Sequence, residues 1–221
     1  MKVLLRLFLF LTLLKTGAPL KCETCESHGT NCTSTMKTCP PHISTCAVAL
    51  IENALEGEKM VSVRKGCEFL EMCPTEMIQF SVGNETTYRA NVICCIGASC
   101  EIVYPYLQLP PIQPKTNGMK CPACYTKTGT CGHEMVACTG LQKFCFEVSS
   151  VSYAGGEEVE RIMKGCTTES VCASLRNGHP LLVSHDLVKS ARCTPDVFSH
   201  SETTKLLIPS FSGLLLLAIF F

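Results

Sequence analysis

Cys22-x2-Cys25-x6-Cys32-x6-Cys39-x6-Cys46-x20-Cys67-x5-Cys73-x20-Cys94-Cys95-x4-Cys100 is the stretch that decides the fold. Its near-regular steps set the length of every segment between cysteines. From Cys121 the first eight cysteines recur, at Cys124, Cys131, Cys138, Cys145, Cys166, Cys172 and Cys193, each 99 residues after its counterpart. A fixed offset of this kind marks the internal duplication of one module.

The even count of 18 cysteines in 221 residues is close to the density of a disulfide scaffold. Disulfides persist in oxidising compartments, so the chain is expected to be extracellular. A module of roughly 80 residues buries little apolar surface, and cross-links of about 3 kcal/mol each would supply much of its stability. The 19 basic and 19 acidic residues cancel, which leaves no broad field for nucleic acid. Without Lys2, Arg6 and Lys15 of the leader described next, 16 basic residues stand against 19 acidic ones.

Residues 1–20 read as a signal peptide. Met1-Lys2 precedes the apolar run Val3 to Leu14, broken only by Arg6, and the small residues Thr16-Gly17-Ala18 follow. That run is too short to cross about 30 Å of hydrocarbon as a helix. At the other end, Leu206 to Phe221 is apolar apart from Ser210 and Ser212. With the small residues Ser199 and Ser201 and the spacer Glu202 to Ser210, it fits a glycolipid (GPI) attachment signal that is removed, 199–221. Membrane association is expected through that lipid alone.

Within the first module, Ala47 to Ile51 and Met60 to Lys65 flank a turn and predict a hairpin. Ile78, Phe80 and Val82, then Tyr88, Ala90 and Val92, alternate on either side of Gly83-Asn84-Glu85-Thr86 and predict a second. Cys25 to Cys39 forms a third projection. In the second module, Phe146 to Val151 and Val159 to Lys164 rebuild the first hairpin around Tyr153-Ala154-Gly155-Gly156. No segment shows a convincing helical period.

The Cys22-x2-Cys25 opening and the Cys94-Cys95-x4-Cys100 close resemble the three-finger domain of the lymphocyte-antigen-six and urokinase-receptor superfamily. The resemblance implies an all-β, disulfide-rich chain of two tandem three-finger (snake-toxin-like) domains, at 21–101 and 120–198, joined by a Pro-rich linker, 102–119. It also implies the pairings Cys22 with Cys46, Cys25 with Cys32, Cys39 with Cys67, Cys73 with Cys94 and Cys95 with Cys100. In the second module it implies Cys121 with Cys145, Cys124 with Cys131, Cys138 with Cys166 and Cys172 with Cys193. Two departures are visible: Glu101 stands where the family places Asn, and the second module has no counterpart of Cys95 and Cys100. The base of that module is therefore expected to be looser.

A ten-cysteine module followed by an eight-cysteine one resembles the gamma-type phospholipase A₂ inhibitors. Met36-Lys37-Thr38-Cys39, Asn117-Gly118-Met119-Lys120-Cys121-Pro122-Ala123-Cys124 and Lys164-Gly165-Cys166-Thr167-Thr168-Glu169-Ser170 support it. The resemblance implies a non-catalytic module that binds a protein, a secreted phospholipase A₂. The alternative is a glycolipid-anchored surface receptor or adhesion protein of the urokinase-receptor type.

No catalytic constellation competes with that reading. His133-Glu134 begins like the zinc-protease HExxH motif, but Ala137 stands where the second histidine belongs. His185-Asp186 lies far from a double cysteine, unlike the catalytic pair of a secreted phospholipase. The opening CxxC has neither the second ligand pair of a zinc ribbon nor the strand-helix setting of a redox site. No cofactor or metal site is expected. Asn31 and Asn84 head N-glycosylation sequons. The candidate partner-binding residues are Leu55, Glu56 and Tyr153 at finger tips, with Tyr104 and Tyr106 of the linker as second choice.

Overall fold

The computed structural model describes residues 19–96, 99–103, 107–109, 111–127, 129–154, 157–178 and 187–195. The leader, Tyr104, Tyr106, Ser199, Ser201, His185-Asp186 and the apolar tail lie outside the described residues, as does the side chain of Tyr153.

The first module is built from β1 (Lys21–His28), β2 (Thr35–Thr38), β3 (Thr45–Asn53), β4 (Met60–Glu68), β5 (Ile78–Ser81) and β6 (Thr87–Cys95). All pair antiparallel, β1 with β2 and β4, β3 with β4 and β6, and β5 with β6. These strands form the three expected projections, of which the hairpin between Cys73 and Cys94 is the one that period-two patterning predicts. Helix α1 (Ser99–Val103) carries Cys100, the last cysteine of the ladder. It extends into the expected linker. Leu107 is buried against Val48, Leu50 and the bridged cysteines of the first module, with Leu109 packed beside it, and Asn91 Nδ2 donates to Gln108 O at 2.7 Å.

The second module comprises β7 (Thr116–Pro122), β8 (Cys124–Thr126), β9 (Met135–Thr139), β10 (Phe144–Ala154), β11 (Glu157–Thr167), α2 (Glu169–Arg176) and β12 (Leu187–Pro195). Its first strand starts at Thr116, ahead of the expected boundary at 120. Helix α2 lies in an otherwise all-β, disulfide-rich chain where no helical period is expected. It buries Val171, Cys172 and Leu175 on one face, places Glu169 in its first turn and Arg176 in its last as the helix dipole favours, and stops at Gly178, φ 74°. At the base, which has no fifth bridge, other contacts are present. Strand β12 stays paired with β10 as far as Phe144 opposite Pro195, and Arg176 Nη2 donates to Cys193 O at 3.2 Å.

The structure holds nine disulfides, pairing Cys22–Cys46, Cys25–Cys32, Cys39–Cys67, Cys73–Cys94, Cys95–Cys100, Cys121–Cys145, Cys124–Cys131, Cys138–Cys166 and Cys172–Cys193, with no cysteine free. In each module the sulfurs of one trio, Cys22, Cys39 and Cys67 or Cys121, Cys138 and Cys166, lie within 4.8 Å of one another. Each of these sulfurs is already bonded to another, so neither trio offers a thiolate to a metal.

The two modules share one sheet. Its order is β12-β10-β11-β5-β6-β3-β4-β1-β2, and the junction is the pairing of Ser81 with Cys166 and Phe80 with Thr167. A single core cluster spans that junction. Leu55, Phe80, Val82, Tyr88 and Ala90 of the first module meet Phe146, Val148, Met163, Val171 and Leu175 of the second. Phe80 stacks on Tyr88 at 5.0 Å and meets Phe146 edge-on at 5.3 Å, the arrangements that ring quadrupoles favour.

Candidate functional site: the groove between the modules

The junction decides what is left to touch a partner. Leu55, predicted at an exposed finger tip, is only 4% exposed. The turn carries it into the shared core, so it is withdrawn as a contact residue. Glu56 stays exposed but is engaged by the second module: Tyr125 Oη donates to its Oε1 at 3.1 Å, and Lys127 Nζ lies 2.6 Å from the same oxygen. The Lys127 hydrogen bond, followed by that of Tyr125, holds the Glu56 carboxyl below its ordinary pKa. Burial, more than any neighbouring charge, raises the Tyr125 phenol.

Beside this contact the two modules line an open groove of about 550 Å³, within the size range of ligand-binding clefts. Ala54, Gly57 and Lys59 of the β3–β4 turn and Gly83, Asn84 and Glu85 of the β5–β6 turn form one wall. The opposite wall is Val136, Ala137 and Thr139 of β9, and Ile112, Pro114 and Thr116 also line it.

Its most constrained lining residues are a buried ion pair. Glu52 and Arg89 face one another across β3 and β6, and Arg89 donates from Nε at 3.0 Å and Nη2 at 2.9 Å to Glu52 Oε1. Lys59 Nζ takes the other oxygen at 2.7 Å. Burial pushes the Glu52 carboxyl up, and the hydrogen bonds from Lys59 and Arg89 outweigh it, so its pKa lies below the ordinary value. A fixed, internally neutral lining suits recognition by shape and hydrogen bonding more than the capture of a free ion.

The register of the junction rests on Gln142, which motif reading passed over, and on Gly165 and Thr167, which it took only as signs of a family resemblance. Gln142, fully buried, donates from Nε2 to Ser81 Oγ at 2.9 Å and accepts from Thr139 N at 3.1 Å through Oε1. Thr167 Oγ1 donates to Gln79 O at 3.0 Å. Gly165 permits the approach, because a Cβ there would collide with the backbone carbonyl of Ser81. One signal for the ion pair was present in the sequence. Glu52 continues the inward phase of Val48 and Leu50, and a charge at an inward strand position implies a buried partner.

Among the described histidines, His28 and His133 are exposed, and His42 stacks on Phe69 with ring centres 5.5 Å apart. None of them lines the groove. Asn84, in its sequon, is exposed on the groove's rim, and Asn31 is exposed at the tip of the first projection.

A phospholipase A2 inhibitor model matches residues 20–102, and a u-PAR/Ly-6 domain model matches residues 117–196. The phospholipase A2 inhibitor NAI of Notechis ater is 30% identical over 91% of this chain and 100% of its own length. The chain belongs to the two-module phospholipase A2 inhibitor family of u-PAR/Ly-6 proteins. The 25 kDa component of a phospholipase A2 inhibitor from Naja kaouthia is 29% identical over 71% of this chain and 84% of its own. The Ly6/PLAUR domain-containing protein 8 of Bos taurus is 27% identical over 72% of this chain and 70% of its own. Among solved structures, mouse TEX101 superposes with a TM-score of 0.36 at 16% identity, over 80% of this chain and 98% of that one. The named relatives are phospholipase A2 inhibitors, which supports an inhibitor-like binding role.

Proposed function

We propose that the protein is an extracellular inhibitor of secreted phospholipase A₂, and that it grips the enzyme with the groove between its modules. The observation that carries this reading is the identity with a named inhibitor along that relative's whole length. The geometry supports it through a groove whose lining is held in place before contact, so that little ordering entropy is lost on binding. Inhibition on this reading is occlusion: the groove takes a projecting segment of the enzyme, and the bulk of two modules keeps its face from phospholipid.

The test is turnover of phospholipid vesicles by a panel of secreted phospholipases with the purified protein at stoichiometric and excess ratios. Turnover should fall as the ratio rises, and unchanged turnover across the panel ends the reading. Ala137→Arg, which drives a long side chain into the groove from β9, should weaken inhibition about tenfold or more, a step of about 1.4 kcal/mol. The same reading adds N-glycans at Asn84 and Asn31, which mass mapping of peptides before and after enzymatic deglycosylation checks.

The sequence motif at Ser199 and Ser201, with the apolar run that follows, favours a second reading, a glycolipid-anchored surface protein. Release from intact cells by a phosphatidylinositol-specific phospholipase is its test. Retention on the membrane after treatment counts against it.

A further inference from the structure

Strand β11 receives the first module along an edge that the duplication also built into β4. Gly165, Cys166 and Thr167 accept Phe80 and Ser81 there, and Gly66, Cys67 and Glu68 hold the same places 99 residues earlier. Beneath the docked strand lie Phe146 and Val148. Their counterparts are Ala47 and Ala49, and these two, with Gly66 and Glu68, line a shallow hollow on the first module. A Cβ at Gly66 would have no atom within 4 Å. β1 pairs with β4 only as far as Lys65, and no strand among the described residues pairs with the outer edge beyond it.

We propose that the Gly66–Glu68 edge of β4 accepts an extended strand of a partner protein, with an aromatic side chain of that strand seated over Ala47 and Ala49. Strand addition to an open edge supplies affinity through backbone hydrogen bonds and specificity through alternate side-chain pockets. The occupied counterpart shows which chemistry fits, an aromatic next to a small residue, as in Phe80-Ser81. Two alanines in place of Phe146 and Val148 leave a shallow hollow of about 20 Å³ that the face of an aromatic ring can cap. Arg64 in place of Met163 and Glu68 in place of Thr167 put both charges at the rim. The partner is a foreign chain. A second copy would have to withdraw β5 from its own core, where Phe80 is fully buried.

The probe is a labelled synthetic peptide of residues 75–83, which carries Ile78 to Val82 of this chain, added to the full secreted protein. Saturable binding is expected, with slowed hydrogen exchange at Gly66 to Glu68. Gly66→Ala should leave the thermal midpoint in place or raise it, and weaken binding at least tenfold, because the new methyl meets the incoming backbone. A peptide with Phe80→Ala should bind as poorly. The proposal is overturned by absence of saturable binding, by equal binding to the Gly66→Ala variant, or by protection at Gly165 to Thr167 instead, which would mean displacement of β5. Self-association of the unliganded protein that Gly66→Ala abolishes would give the edge to a second copy and also overturn it. No step uses a phospholipase, so the result is independent of the inhibitor reading.

Discussion

The two modules repeat the same bridges, with sequence separations of 24, 7, 28 and 21 residues in each, yet they solve different problems with them. The second module is a socket: Phe146, Val148, Val171 and Leu175 form part of the core face that Phe80 and Tyr88 of the first module cover. The first supplies the plug, Phe80 and Tyr88, and keeps a charged pair, Glu52 and Arg89, at the groove. Their counterparts in the second module are Val151, buried, and Val188, packed against the shared core. Duplicated bridges thus fix where strands run, and the substituted side chains decide which faces meet.

The comparison breaks most sharply at the paired glycines. Gly165→Ala should force β5 away from β11 and open the shared core, a loss above about 4 kcal/mol, at the upper end for single substitutions. Denaturant unfolding with disulfides intact measures it. Next comes the ion pair. Arg89→Val alone leaves the buried Glu52 with Lys59 as its remaining partner and should cost up to about 3 kcal/mol. Adding Glu52→Val makes the first module resemble the second and should recover most of that loss.

Acid sharpens the same point. Because the folded Glu52 carboxyl titrates below its unfolded value of about 4.3, its contribution is full above that pH and is lost as pH falls through the lower folded value. Combining Glu52→Val with Arg89→Val should therefore flatten the acid limb of stability below about pH 4, as thermal midpoints across a pH series will show. The smallest effect belongs to Gly66→Ala. With extended backbone and open space, it should be neutral or stabilise by about 0.4–1 kcal/mol.

Much of this was legible before any coordinates. Alternation of Ile78, Phe80 and Val82 against Tyr88, Ala90 and Val92 read as a hairpin because period two is a property of a strand alone. Leu55 misled for the complementary reason. A turn looks exposed from within its own module, and only the neighbouring module buries it. Helix α2 escaped because its apolar face is three residues, one of them the ladder cysteine Cys172. The groove escaped because its walls come from stretches far apart in the chain, Glu52 to Lys59 and Val136 to Thr139, which no local period connects.

Every disulfide closes within its own module, and the exposed run Pro111 to Lys115 is the backbone between them. One proteolytic cut in that run severs the last covalent tie between the halves. The nicked molecule would migrate as two fragments under denaturing but non-reducing conditions, while the shared sheet holds them together in native buffer. An extracellular protease could thereby turn a permanent assembly into one that dissociates on dilution.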